Sequence, residues 1–94
     1  MKFEYDHVKS MANRQKHGVS LGEAQGLWEA THVQIEAKNL DESRFMIIGR
    51  INGKFYSCIF TMRDEVIRLI SARRSRPIEE KIYYEHIGQE KADG

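Results

Sequence analysis

The chain has 94 residues, of which 40% are apolar and 31% charged, a composition typical of one small globular domain rather than a disordered segment. No apolar run approaches the ~20 residues of a membrane-spanning helix, so we expect no membrane association. The N-terminus lacks the apolar stretch of a secretory signal, and the single Cys58 excludes an internal disulfide. Both features predict a protein of the reducing cytoplasm.

Positive charge is concentrated in the middle of the chain, although the net charge is only +1. Residues 44–76 hold eight Lys and Arg against two Asp and Glu, a balance of +6. The flanking segments are acidic, with balances of −2 over residues 1–43 and −3 over residues 77–94. A basic segment inside a nearly neutral chain indicates contact with nucleic acid or with an acidic protein.

The first elements are a short strand and a helix. Alternating residues around Phe3 predict the strand, and Asp6 is a typical N-cap for a helix that runs to about Lys16. Gly18 suits the left-handed position after the helix end. The apolar residues assigned to the inner side of this helix are Val8, Met11 and Ala12.

A second helix follows at once. Ser20 and Glu23 form the pattern of a capping box, and the short turn predicts an antiparallel helix pair. A DNA-binding helix-turn-helix over residues 6–30 is disfavoured because the second helix contains no Lys or Arg. The residues assigned to the inner face of the second helix are Leu21, Ala24, Leu27 and Trp28.

The rest of the chain has the pattern of four strands and a final helix. Asn52-Gly53 predicts a type I′ hairpin turn, residues 63–65 a second turn, and Pro77 the first turn of the helix. The polar tail, residues 89–94, is expected to fray. The predicted strands are Val33–Ala37, Arg44–Ile51, Lys54–Met62 and Val66–Arg73.

These elements predict one α+β domain over residues 1–94, in the order β-α-α-β-β-β-β-α. The short connections between strands predict a mainly antiparallel sheet. We expect two layers, with the helix pair on one face of the sheet. The other face would be open or partly covered by the last helix.

The sequence contains no motif for a metal or a cofactor. The four histidines lie in different predicted elements, and neither C-x₂-C nor H-E-x-x-H spacing occurs. Gly-rich phosphate loops are also missing, and Cys58 has the pattern of a buried strand thiol. We therefore expect neither a metal ion nor a cofactor.

Strand alternation divides the arginines between two faces. In the last strand it places Ile67, Leu69, Ser71 and Arg73 together, opposite Arg68 and Arg74, unless a β-bulge intervenes. Arg73 and Arg74 then point apart, and the sequence does not say which faces a site. Arg44 and Arg50 share a face of their strand, where an ion pair with Glu36 or Asp41 is as plausible as a functional role.

A set of arginines with a histidine is compatible with RNA cleavage that needs no metal. The 2′-hydroxyl attacks the adjacent phosphate, side chains transfer two protons, and arginines stabilise the more anionic transition state. His17 is the best proton-transfer candidate, with Lys16 beside it. The simpler interpretation is that His17 only stabilises the helix end through the helix dipole.

Five sequence motifs resemble those of the BrnT toxins. Two residues depart from that family's pattern: Tyr5 stands where Trp is usual, and Ser43 stands where a glutamate commonly precedes Arg44. The motifs, in chain order, are Phe3-Glu-Tyr-Asp6, Lys16-His-Gly-Val-Ser20, Glu23-Ala24, Ile67-Arg-Leu-Ile-Ser-Ala-Arg-Arg74, and Glu79 with Tyr83.

The resemblance implies a toxin of a type II toxin–antitoxin system with a fold similar to RelE-type ribonucleases. Its activity would be RNA cleavage that requires neither metal nor ribosome. Its partner would be a BrnA-like ribbon-helix-helix antitoxin in a 2:2 heterotetramer. That complex would repress its own operon, and the toxin would reach operator DNA only through the antitoxin.

Two hypotheses follow for the arginines. The first is an endoribonuclease, with His17, Arg44, Arg63 and Arg73 as catalytic residues and Lys16, Arg50, Arg68 and Arg74 as RNA-binding residues. The alternative is a non-enzymatic module whose basic sheet docks an acidic partner or nucleic acid without cutting it.

Overall fold

The computed structural model describes residues 1–37 and 43–93, with side chains to residue 88. The predicted order of elements is confirmed. The single domain and the frayed tail stay predictions, and residue 94 lies outside the described range. The elements are β1 (Lys2–Glu4), α1 (His7–His17), α2 (Leu21–Ala24), a 3₁₀ helix (Gln25–Trp28), β2 (His32–Ala37), β3 (Arg44–Ile51), β4 (Lys54–Arg63), β5 (Val66–Arg74) and α3 (Pro77–Asp93).

The five strands form one sheet in the order β1-β5-β4-β3-β2. Strands β2 to β5 pair antiparallel with their neighbours, and only β1 lies parallel to β5. The mainly antiparallel α+β fold is therefore confirmed. At the β3–β4 turn, Asn52 and Gly53 have φ of 52° and 79°, as a type I′ turn requires.

Helices pack on both faces of the sheet: the expectation that the last helix partly covers the second face is confirmed, and the fold has a third layer there in addition to the expected two. We call the face under α1 and α2 the helix-pair face; its core includes Leu21, Ile47 and Phe60. We call the opposite face the α3 face, because Tyr83 of α3 packs there against a smaller core that includes Ile48. Helix α3 covers the part of this face formed by β2 and β3. No helix in the described part of the chain is long and apolar enough to cross a membrane.

The prediction for the inner side of α1 is wrong. Val8 and Met11 are 77% and 69% exposed, and Ala12 is exposed as well. The helix instead buries two polar residues, Ser10 and Asn13.

Hydrogen bonds explain why α1 turns polar residues inward. Asn13 lies against the edge of β5, where its side chain donates to the Ala72 carbonyl at 2.8 Å and accepts from the Ala72 amide at 3.2 Å. Ser10 Oγ accepts from the Leu21 amide at 2.9 Å, which joins α1 to α2. Buried backbone groups need such partners, and an apolar side chain cannot supply them.

The predicted helix ends are confirmed, but the second helix is short. Asp6 caps α1, Gly18 ends it with φ of 79°, and Ser20 and Glu23 form the capping box. Helix α2 has four residues, and the chain then continues as the 3₁₀ helix. The residues predicted for the inner face of the second helix are therefore divided between these two elements. A four-residue helix is too short to read a DNA groove as a recognition helix does.

A β-bulge in β5 corrects the predicted division of its side chains. Ile59 of β4 pairs with Ser71 and the next residue, Phe60, pairs with Leu69, so Ile70 is the extra residue. Before the bulge, odd-numbered residues of β5 lie on the helix-pair face; after it, they lie on the α3 face. Leu69 and Arg73, predicted to share a face, therefore lie on opposite faces.

Candidate functional site

The α3 face collects arginines from three adjacent strands. Paired residues of an antiparallel sheet lie on the same face, so the register assigns each side chain. Arg44 and Arg50 alternate with Phe45 and Ile47 of the helix-pair core and so share the other face, as predicted. The arginines on the α3 face are Arg44, Arg50, Arg63, Arg68 and Arg73.

The bulge at Ile70 decides which neighbour joins this group. In a regular strand, Arg68 and Arg73 would point to opposite faces because they are five positions apart, an odd number. The extra residue brings both to the α3 face and turns Arg74 to the helix-pair face. There the Arg74 guanidinium lies 5.7 Å from the centre of the Tyr56 ring.

Arg73 is held by a buried carboxylate at the start of α3. Its two terminal nitrogens each donate to a Glu79 oxygen at 2.7 Å, and Glu79 also accepts from Ser57 Oγ at 2.8 Å and the Arg76 amide at 2.9 Å. Burial raises the pKa of Glu79, but these hydrogen bonds outweigh it and lower the pKa to about 2. The same bonds raise the pKa of Arg73.

Two other arginines of this face have contacts of their own. Arg68 lies 3.4 Å from Glu4 of β1, and both side chains remain partly exposed. The Arg50 guanidinium lies 4.8 Å from the centre of the Phe55 ring and donates to the Tyr84 hydroxyl at 3.3 Å. The face is therefore positive, but among the described residues Glu4 and Glu79 already bring carboxylates to it. An ion pair of Arg44 or Arg50 with Glu36 or Asp41 was the alternative to a functional role; Glu36 pairs with Phe45 on the other face, and Asp41 lies outside the described residues.

Lys16 and His17 belong to the end of α1, whereas the arginines of the α3 face belong to strands of the sheet. Lys16 and His17 line a groove of about 250 Å³ between α1 and the edge of β5, together with Lys9 and Ser71. Ser71 itself belongs to the α3 face, between Arg68 and Arg73 along the strand. The groove therefore opens at the border of the arginine group rather than within it.

The described residues give little support to a cysteine nucleophile or to a metal site. Cys58 is fully buried, and burial raises the pKa of its thiol to about 12, so it is not a nucleophile at neutral pH. Among the side chains that the structure describes, those of residues 1–37 and 43–88, no three of His, Cys, Asp or Glu are grouped so that they could hold a metal ion. The dominant chemical feature is the set of five arginines on the α3 face. Their guanidinium groups are well suited to bind phosphate oxygens.

From the sequence, Glu79 is named only as part of a motif of the BrnT resemblance and is assigned no role. Its position contains a signal, because a glutamate three residues after an N-cap can accept from the N-cap amide, as Glu79 does from Arg76. The bidentate contact with Arg73 depends on the bulge and on the packing of α3, so no local pattern shows it.

A family model for BrnT, the ribonuclease toxin of type II toxin–antitoxin systems, matches residues 5–79 of the chain. The chain belongs to this family. The matched segment includes all eight predicted site residues and ends at Glu79. A comparison of the chain with curated proteins found no match.

Membership in the BrnT family identifies the chain as a ribonuclease toxin of a type II toxin–antitoxin system. RNA is then the substrate class, and an antitoxin protein is the partner. The predicted family is confirmed, whereas the predicted roles of single residues stay predictions.

Proposed function

We propose that this BrnT protein cleaves RNA on its α3 face, without a metal ion and without the ribosome. The observation that carries the proposal is the group of five arginines on one face of the sheet. A phosphate that develops extra negative charge during cleavage is stabilised by guanidinium groups held in place beforehand. Arg44, Arg63 and Arg73 take this role, and Arg50 and Arg68 hold the flanking RNA backbone.

The reaction is attack of an RNA 2′-hydroxyl on the adjacent phosphorus. The P–O5′ bond breaks, leaving a 2′,3′-cyclic phosphate on one fragment and a 5′-hydroxyl on the other. One side chain removes the 2′-hydroxyl proton and another protonates the departing 5′-oxygen. His17 is the proposed proton-transfer group and Lys16 an RNA contact, since their groove shares Ser71 with the arginine face.

Activity is silenced by protein binding. The proposed partner is a BrnA-like ribbon-helix-helix antitoxin, in a cytoplasmic 2:2 complex that represses the operon through the antitoxin's DNA-binding part. Arg74, predicted to bind RNA, lies on the helix-pair face, so the proposed RNA path over the α3 face does not need it.

The test is cleavage of purified single-stranded RNA in excess EDTA with no ribosomes present. We expect fragments with cyclic phosphate and 5′-hydroxyl ends, and strong loss of activity in Arg63→Ala and His17→Ala proteins. Arg76→Ala is the matched control, because it removes an exposed arginine just outside β5. No cleavage by the wild type, or equal cleavage by all variants, would refute the proposal.

A second candidate function is RNA or protein docking without cleavage. It is favoured by the carboxylates already bound to Arg68 and Arg73, and by the lack of histidine among the described strand residues of the α3 face. RNA that binds with the salt dependence of phosphate contacts yet stays intact would support this candidate.

A further inference from the structure

Helix α1 presents an apolar stripe to solvent. Val8 is 77% and Met11 69% exposed, and Ala12 beside them is also exposed. We call these three residues the outer stripe of α1. Residues three and four apart meet on one side of a helix, so the stripe is continuous.

The stripe does not serve the protein's own core. The side of α1 that faces the sheet is formed by Ser10 and Asn13, whose hydrogen bonds fix the helix against α2 and β5. An amphipathic helix normally turns its apolar side inward. Here Val8 and Met11 point outward side by side, and adjacent exposed apolar side chains of this kind are a candidate contact surface for another molecule.

The charged side chains of α1 itself are positive, and the one carboxylate at the start of the helix, Asp6, is bound to the Val8 and Lys9 amides as the N-cap. Helix α1 contains Lys9, Arg14 and Lys16 and no Asp or Glu. Arg14 is paired with Glu23, whereas Lys9 and Lys16 line the groove next to Ala12. The stripe therefore has an apolar centre with lysines along one side. An acidic amphipathic segment complements both features.

We propose that the outer stripe of α1 docks an acidic amphipathic segment of the antitoxin. This inference rests on the proposed function, which supplies the antitoxin as partner. RNA fits the stripe poorly, because its centre offers neither a charge for phosphate nor an aromatic ring for base stacking. Val8 and Met11 lie neither on the arginine face nor among the residues that line the groove of Lys16 and His17, so docking on these two side chains is separable from catalysis.

The test uses the full-length chain and the antitoxin of its own operon, purified from their complex. In a Val8→Glu, Met11→Glu double variant, the Kd for the antitoxin should rise at least about tenfold, because charged side chains replace apolar residues at the centre of the proposed interface. The variant alone should cleave RNA at the wild-type rate and resist neutralisation. Ile78→Glu is the matched control, because Ile78 is an exposed apolar residue on α3, and it should bind normally.

The sign of the charge is a second arm of the experiment. Met11→Lys removes the apolar contact but keeps the surface basic, so it should weaken binding less than Met11→Glu. The two residues have similar helix propensities, and circular dichroism of each variant checks the fold. A Glu variant that binds as well as the Lys variant would overturn the acidic partner.

Three outcomes would overturn the docking site. They are an unchanged Kd in the double variant, a loss of RNA cleavage without antitoxin, which would assign the stripe to RNA, and a change in the oligomeric state of the chain alone. A wild-type chain that binds the antitoxin but cuts no RNA would refute the proposed function only, because the binding arm does not require cleavage.

Discussion

The Glu79→Gln substitution tests how much the contact between Glu79 of α3 and Arg73 of β5 contributes to the free energy of unfolding. Glu79 is buried, with 6% exposure, and it accepts four hydrogen bonds, two of them from Arg73. Glutamine has nearly the same shape but no charge. The substitution therefore leaves the Arg73 guanidinium facing a neutral amide.

Two estimates give the size of the effect. Removing one partner of a buried ion pair costs about 3–5 kcal/mol. The pKa of Glu79 lies at about 2 instead of its usual 4.5, and each pKa unit corresponds to about 1.4 kcal/mol. The Arg73 side chain keeps 26% of its surface in solvent, which screens the ion pair. We therefore expect Glu79→Gln to lower the free energy of unfolding by about 2–3 kcal/mol, less than either value.

The effect should depend on pH. The folded state lowers the pKa of Glu79, so its stabilisation is complete above pH 4.5 and is lost as the pH falls towards 2. Urea unfolding followed by Trp28 fluorescence should show the wild type and Glu79→Gln converging, with about half of their difference lost between pH 5 and pH 3.

The control for this experiment is Glu85→Gln on the same helix, where the carboxylate is 57% exposed and lies 4.0 Å from Lys81. It should change stability by less than about 0.5 kcal/mol. A Glu79→Gln loss below about 1 kcal/mol, or one that does not change with pH, would refute this account of the contact.

Three further predictions concern single side chains. Asn13→Ala should lower the free energy of unfolding by about 2–4 kcal/mol in urea titrations, because it leaves the buried backbone of Val19 and Ala72 without partners. Gly53→Ala should cost about 1 kcal/mol in the same titration, because its φ of 79° strains any side chain although there is space for one. Cys58 should not react with a thiol reagent at neutral pH until the protein unfolds, since it is buried and its pKa is raised to about 12.

Features set by neighbouring residues were predictable from the sequence. The caps at Asp6 and Ser20, the turn at Asn52-Gly53 and the start of α3 at Pro77 depend on local backbone chemistry. The shared face of Arg44 and Arg50 followed from strand alternation, because β3 is regular.

Features set by distant contacts were not predictable. The inner side of α1 is chosen by the unpaired edge of β5, where Asn13 fits and Met11 does not. The bulge at Ile70 is a mismatch of register between two strands, which no single strand pattern contains. The bulge in turn decides that Arg73, and not Arg74, joins the arginine face.

The most direct test of the account is RNA binding by two single-arginine variants. Fluorescence anisotropy would follow a 2′-O-methylated RNA, which cannot be cleaved through its 2′-hydroxyl, across a range of salt concentrations. Arg68→Ala should weaken binding and reduce the slope of log K against log salt by about 0.7, as for the loss of one phosphate contact. Arg74→Ala, on the helix-pair face, should leave the slope unchanged; the reverse pattern, or equal effects of both, would contradict RNA binding on the α3 face.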